Sequence, residues 1–189
     1  MYKELLNFCT VDLSAFYFDI RKDTLYCDEI NSKKRQWTII VLNIILNSLL
    51  KWFAPILSFT TEEIYRLLNE QKSIHLEQFL NFPKKFYNEE LNIKWKELIK
   101  IRNICNISIE EKRASKEIGS SLEAQIKINL HNKFLDIIKD VDFSELCITS
   151  KAEISYNETS ETKVETTKAK GSKCPVCWKL SEEPCVKHS

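Results

Sequence analysis

The stretch SKCPVCWKLSEEPCVKHS, residues 172–189, holds three of the chain's seven cysteines and one of its three histidines. Cys174 and Cys177 have two residues between them, a turn that brings both sulfurs toward one point, and Cys185 and His188 repeat the spacing. Two such pairs supply four soft or borderline donors for a tetrahedral ion, and zinc is the usual occupant. Four protein ligands leave no position for water, so the site reads as structural: one Zn2+ held by thiolates and a neutral imidazole, standing in for an apolar core. A redox pair and unmetallated thiols are the rival readings. A redox CxxC belongs at a helix start in a βαβ setting, and none is read here. The weak points of the pattern are the short spacer after Cys177 and the position of His188 next to the last residue.

Upstream, the periodicity changes segment by segment. NETSETKVETTKAKGSK (157–173) has no apolar periodicity and predicts a linker over 157–171 or a weak edge strand. AQIKINL and LCITSKAEISY alternate apolar and polar positions as half-buried strands do, with a short helix in HNKFLDIIKDV between them. These make a small α+β module over 119–156. Ahead of Gly119 the pattern is helical. EELNIKWKELIKIRNICNISIEEKRASK reads as one long helix with Trp95, Leu98, Ile99, Arg102 and Cys105 on or beside its packed face, Cys105 as a small core residue. A polar and aromatic loop is read from Gln71 to Asn88. Thr60 and Glu63 have capping-box spacing in SFTTEEIYRLL. A further long helix follows Ser32 and ends near Pro55, and residues up to Tyr26 carry apolar positions at helical spacing. The fold expected is mainly α: a helical domain over 1–118, the α+β module, the linker and a zinc-binding tail over 172–189.

Composition supports this and excludes some chemistry. Of 189 residues, 43% are hydrophobic, enough for a core in one or two domains, and only two are glycine. A dinucleotide fingerprint or P-loop needs clustered glycines, so no nucleotide-binding loop is expected. The 28 basic and 27 acidic residues nearly cancel, which leaves nucleic-acid binding to local patches. No signal peptide is read at the N-terminus, and an odd number of mostly scattered cysteines fits a reducing cytosol. The segment TIIVLNIILNSLLKWFAPIL is apolar enough to resemble a membrane span. Asn43, Asn47 and Lys51 draw a polar stripe along it, so it reads as a buried helix of a soluble domain. His75 and His131 stand apart from any nucleophile-and-acid arrangement and read as ordinary surface or boundary histidines.

Read in order, NFCTVDLSAFYFDIRKDTLYCD, WFAPILSFTTEEIY, SIHLEQF, IGSSLEAQI and KCPVCW strongly resemble the C-terminal part of bacterial isoleucyl-tRNA synthetases, over essentially the whole chain. The resemblance implies an anticodon-binding helical domain, a small α/β module and a zinc tail that grips the anticodon stem-loop of tRNA(Ile). It implies one structural Zn2+ on Cys174, Cys177, Cys185 and His188, the histidine standing where the family has a cysteine. Attachment of isoleucine, with its ATP, belongs to an N-terminal catalytic and editing part, which would be the protein partner. The present chain is then catalytically inactive alone, with no catalytic residues of its own, and is cytoplasmic, with neither DNA nor membrane as partner. KRASKEIGSS (112–121) is a poor match to the class I catalytic loop and reads as a basic helix end. Candidate tRNA contacts are Lys33, Lys34, Arg35, Arg102, Lys112, Arg113 and Lys116; Lys84 and Lys85 read by default as solvated charge. Trp178 either stacks on a base or, as the favoured reading, packs over its own zinc module. The alternative is a stand-alone zinc-stabilised protein-interaction module.

Overall fold

The structure is a computed structural model that describes residues 2–69, 72–158, 161–185, 187 and 188. The chain divides into two compact units, one of Met1–Asp23 with Asn88–Ser189 and one of Thr24–Tyr87. It is helix-rich with a small α+β module, as the periodicity leads one to expect.

The first unit is organised around α5, Glu89–Ala114. Asn88 caps it, its side-chain oxygen accepting from the Leu91 N–H at 2.9 Å, with Glu89 and Glu90 in the first turn and Lys112 and Arg113 in the last, as the helix dipole favours. Leu98, Ile101, Cys105 and Ile109 fall three and four residues apart and are all buried. They meet Ala124, Ile126, Ile128 and Leu130, the alternate residues of strand β1 (Ala124–His131), each of which is fully shielded from solvent. A helix stripe of period 3.6 and a strand face of period 2 thus close one core across position 118, where the sequence suggested a boundary. Residues 88–118 and the α+β module share that core.

Strand β1 is central. β2 (Lys151–Asn157) pairs with it in parallel and β3 (Lys163–Lys168) antiparallel, giving the order β2-β1-β3. The parallel pair needs a crossover, supplied by two one-turn helices, α6 (Leu135–Ile138) and α7 (Phe143–Leu146), the second capped by Asp142. The stretch 157–171, expected as a linker or weak edge strand, contributes the edge strand β3. Its Thr166 hydroxyl lies 2.8 Å from Ser108 Oγ of α5, which satisfies a buried polar group inside the core. Near the N-terminus, α1 (Tyr2–Asn7) is followed by a π-helical stretch, Phe8–Phe18, and by α2 (Asp19–Cys27). Phe16 of the π-helical stretch meets Trp95 of α5 edge-on, at 6.1 Å between ring centres.

In the second unit α3 spans Lys33–Phe53 and α4 spans Ser58–Leu68, with Leu50, Ala54, Tyr65 and Ile74 as the buried core. Two expectations need correcting. Helix α3 is present, but only Thr38, Ser48 and Leu50 along it are buried. Its share of the apolar core lies in its C-terminal half, at Leu50 with Leu46 packed alongside, and Trp37, Ile40 and Ile44 stay exposed. By length and composition alone it is the one helix among the described residues that is apolar enough to cross a membrane. The Thr60–Glu63 capping box is also absent: α4 begins at Ser58, inside which Thr60 is helical, and the Thr61 N–H and hydroxyl both donate to the Leu57 carbonyl instead.

The end of α5 carries a conformational cost. Glu117 N donates to Lys112 O and Lys116 N to Arg113 O, the two bonds of a Schellman motif, and Lys116 occupies the left-handed position at φ 60° that usually takes glycine. A non-glycine residue there costs about 1 kcal/mol. Lys116→Gly is therefore expected to stabilise the first unit by about 1 kcal/mol in urea unfolding; a loss of stability would show that the lysine side chain holds this turn.

Candidate metal centre

Glycine is scarce in this chain, and Gly171 is used where nothing else fits. It has φ +104°, and a Cβ at this position would lie 2.0 Å from the Ser181 carbonyl oxygen. That close approach lets β4 (Ser172–Lys173) pair with β5 (Leu180–Ser181), so that the chain between them forms a tight knuckle. Within the knuckle the Cys174 N–H donates to Lys179 O at 2.9 Å and the Trp178 N–H to Cys174 O at 3.0 Å. The turn Pro175–Cys177 thereby points both sulfurs inward. Downstream, His188 N donates to Cys185 O at 2.9 Å, which folds the second pair back in the same manner.

The four donor atoms converge. Cys174 Sγ lies 3.6 Å from His188 Nδ1, Cys185 Sγ 3.3 Å from the same nitrogen, and Cys177 Sγ 3.8 Å from Cys185 Sγ. All four atoms lie within 4.8 Å of one another, and this set can hold a metal ion. Donors placed about 2.3 Å from a central ion at tetrahedral angles stand about 3.8 Å apart, so the spacing fits such an ion. Cys174 and Cys177 are buried. The backbone N–H groups of Cys177 and Val176 bring the Cys174 thiol down to about 6, whereas burial pushes the Cys177 thiol up to about 11. Those N–H groups favour the thiolate at Cys174, the ligating form. With every donor drawn from protein, an ion here would hold the tail together and offer no position to a substrate.

The knuckle is fastened to the α+β module through one hydroxyl that the sequence reading did not single out. Ser150 Oγ donates to the Leu122 carbonyl and accepts from the Leu180 N–H at 2.7 Å, and Lys187 Nζ lies 3.2 Å from Asp23 Oδ2. No local pattern marks Ser150, because both partners are distant in sequence. Gly171, one of only two glycines and three residues before Cys174, carried the available signal.

The candidate RNA contacts fall in different places. Lys33 and Lys34 are exposed at the start of α3, and Arg35 donates to the Asp28 carbonyl at 3.2 Å, all in the second unit. Lys112, Arg113 and Lys116 gather at the end of α5, where Lys112 pairs with Glu117 at 2.9 Å and Arg113 with Glu110 at 2.6 Å. Arg102 has an internal occupation: Nε donates to Leu146 O at 2.8 Å, Nη2 lies 3.8 Å from Asp19, and the guanidinium sits 5.3 Å from the Phe16 ring centre. Trp178 does not pack over the knuckle as favoured from the sequence. It is 59% exposed at φ 64°, with the Lys173 ammonium 5.4 Å from its ring centre. The left-handed turn that closes the CxxC loop directs it outward. His75 is exposed, and His131 Nδ1 accepts from the Lys133 N–H at 3.0 Å, so both are ordinary histidines.

A family model described as the anticodon-binding domain of tRNA ligase matches residues 1–128, and the chain belongs to that family. Among curated proteins it is similar to the isoleucine–tRNA ligase of Pelagibacter ubique, 66% identical over 190 residues that cover 100% of this chain and 21% of that protein. The isoleucine–tRNA ligases of Agrobacterium fabrum and Bartonella henselae are 37% and 38% identical, each match covering 96% of this chain and 20% of the relative. The chain spans about a fifth of the length of these relatives.

Two substitutions test the knuckle. Cys174→Ser is expected to bring zinc content, measured by atomic absorption, well below one ion per chain while leaving the helical circular dichroism intact. Global unfolding of that variant would mean that the tail is part of the main core. Gly171→Ala keeps all four ligands yet is expected to weaken zinc affinity at least tenfold in chelator competition, because its Cβ collides with the facing strand.

Proposed function

We propose that this chain is the tRNA-binding portion of an isoleucine–tRNA ligase, that it recognises the anticodon stem-loop of tRNA(Ile), and that one structural zinc ion on Cys174, Cys177, Cys185 and His188 fixes its tail. The observation that carries this reading is the 66% identity to such a ligase over the entire chain. The Cys3His set with tetrahedral spacing supports the zinc assignment. Zinc would supply a cross-link between two short chain segments that have little apolar surface to bury.

In this reading ATP-dependent attachment of isoleucine falls to the part of the ligase that the chain does not span, and the chain has no catalytic residues. Both operate in the cytoplasm. Binding combines phosphate contacts, which set register, with contacts to unstacked bases, which read sequence. Lys112, Arg113 and Lys116 are the contacts supported by clustering, and exposed Trp178 is a stacking surface within the metal knuckle. Arg102, with its hydrogen bonds directed inward, serves packing rather than phosphate.

The zinc-loaded chain is expected to bind tRNA(Ile) in preference to an unrelated tRNA, with affinity that falls as salt rises. Equal and weak binding of both would transfer recognition to the remainder of the ligase. Absence of any RNA binding, with capture of a protein partner instead, would favour a protein-interaction module.

A further inference from the structure

The metal knuckle reaches the N-terminal helices at the first half of α2, a stretch that several elements hold by charge. Asp19 Oδ2 lies 3.8 Å from Arg102 Nη2 of α5, Arg21 Nη1 lies 2.8 Å from Glu145 Oε1 of α7, and Asp23 Oδ2 lies 3.2 Å from Lys187 Nζ of the tail. Asp19 and Asp23 are one helical turn apart and share a face, while Arg21 sits on another, so the stretch is held from two sides around the buried Ile20.

The Lys187 contact differs from the other two in what supports it. Arg102 and Glu145 project from helices that contribute to the core. Lys187 belongs to a segment that buries nothing: among the described residues, none after Cys177 is buried. It is flanked instead by Cys185, two residues before it, and by His188, directly after it, whose backbone N–H donates to the Cys185 carbonyl. Both neighbours belong to the four-donor set. An ion held by that set would pin the chain on either side of Lys187 and so fix where its ammonium can reach. The pair's side chains are 47% and 24% exposed, so charge alone gains little over the cost of ordering a long side chain on a loose backbone. Where metal has already ordered the backbone, that cost falls and the pair closes. The dependence is reciprocal: whatever factor the metal gives the pair, the pair gives the metal.

We propose that Asp23 is a positioning residue for the metal centre, acting through Lys187 to raise its zinc affinity, and that zinc in turn latches the tail onto α2. The proposal rests on the zinc reading above and extends it from the four ligands to a carboxylate near the other end of the chain. No spacing in the sequence marks this partner, because Asp23 and Lys187 come together only in the fold.

The test measures zinc affinity of the full chain by chelator competition, at low and high salt, for wild type, Asp23→Asn, Lys187→Met and the double variant. Each single variant is expected to weaken zinc binding about threefold at low salt, and the double variant no further than either single. The deficit is expected to shrink at high salt, because screening removes the pair from the wild type as well. Amide exchange over residues 19–23 of the wild type is expected to quicken severalfold when zinc is stripped. Unchanged affinity in the single variants, losses that add in the double variant, or exchange over 19–23 that ignores zinc would each overturn the proposal. A tightly bound ion in the wild type would leave the zinc reading standing in those cases. Failure of the wild type to take up zinc would overturn both.

Discussion

The packing of α5 against β1 is the constraint on which the first unit depends. Leu98, Ile101, Cys105 and Ile109 present a stripe that only a flat apolar surface can cover, and Ala124, Ile126, Ile128 and Leu130 supply it. Once that face is buried, a one-residue slip in β1 would bring Gln125, Lys127 and Asn129 into the core, so the register is fixed. The polar face is then obliged to point away from α5. Burying the apolar side of the sheet therefore also creates the open surface beside the knuckle.

The tail obeys a different rule. It contains too little apolar surface to order itself, and its shape comes from turns and donors. Gly171 permits the close approach of two short strands, the CxxC turn converges two sulfurs, and Cys185 and His188 complete the set. Ser150 joins that local order to the sheet with two hydrogen bonds. A metal would thus act on a knuckle already aimed by backbone geometry, and the thiolate at Cys174 is favoured by N–H groups of the same turn.

Much of this was legible in the residues themselves. The alternation of AQIKINL, the period of the α5 stripe and the paired Cys174/Cys177 and Cys185/His188 spacing each report a local periodicity, which survives tertiary context. What was not legible depends on partners remote in sequence. Arg102, beside the packed face, looks like a phosphate contact until Asp19, Phe16 and Leu146 occupy its guanidinium. Thr60 looks like a helix cap until the turn at Leu57 starts α4 earlier. The apolar run of α3 looks buried, but along it only Thr38, Ser48 and Leu50 are. Trp178 looks like packing material until a left-handed backbone turns it to solvent.

Hydroxyl-radical footprinting of tRNA(Ile) bound to the full zinc-loaded chain tests the central claim most directly. Protection confined to the anticodon stem-loop is the predicted result. Protection confined to the acceptor stem, or no protection at concentrations where the complex is saturated, would contradict an anticodon-reading role.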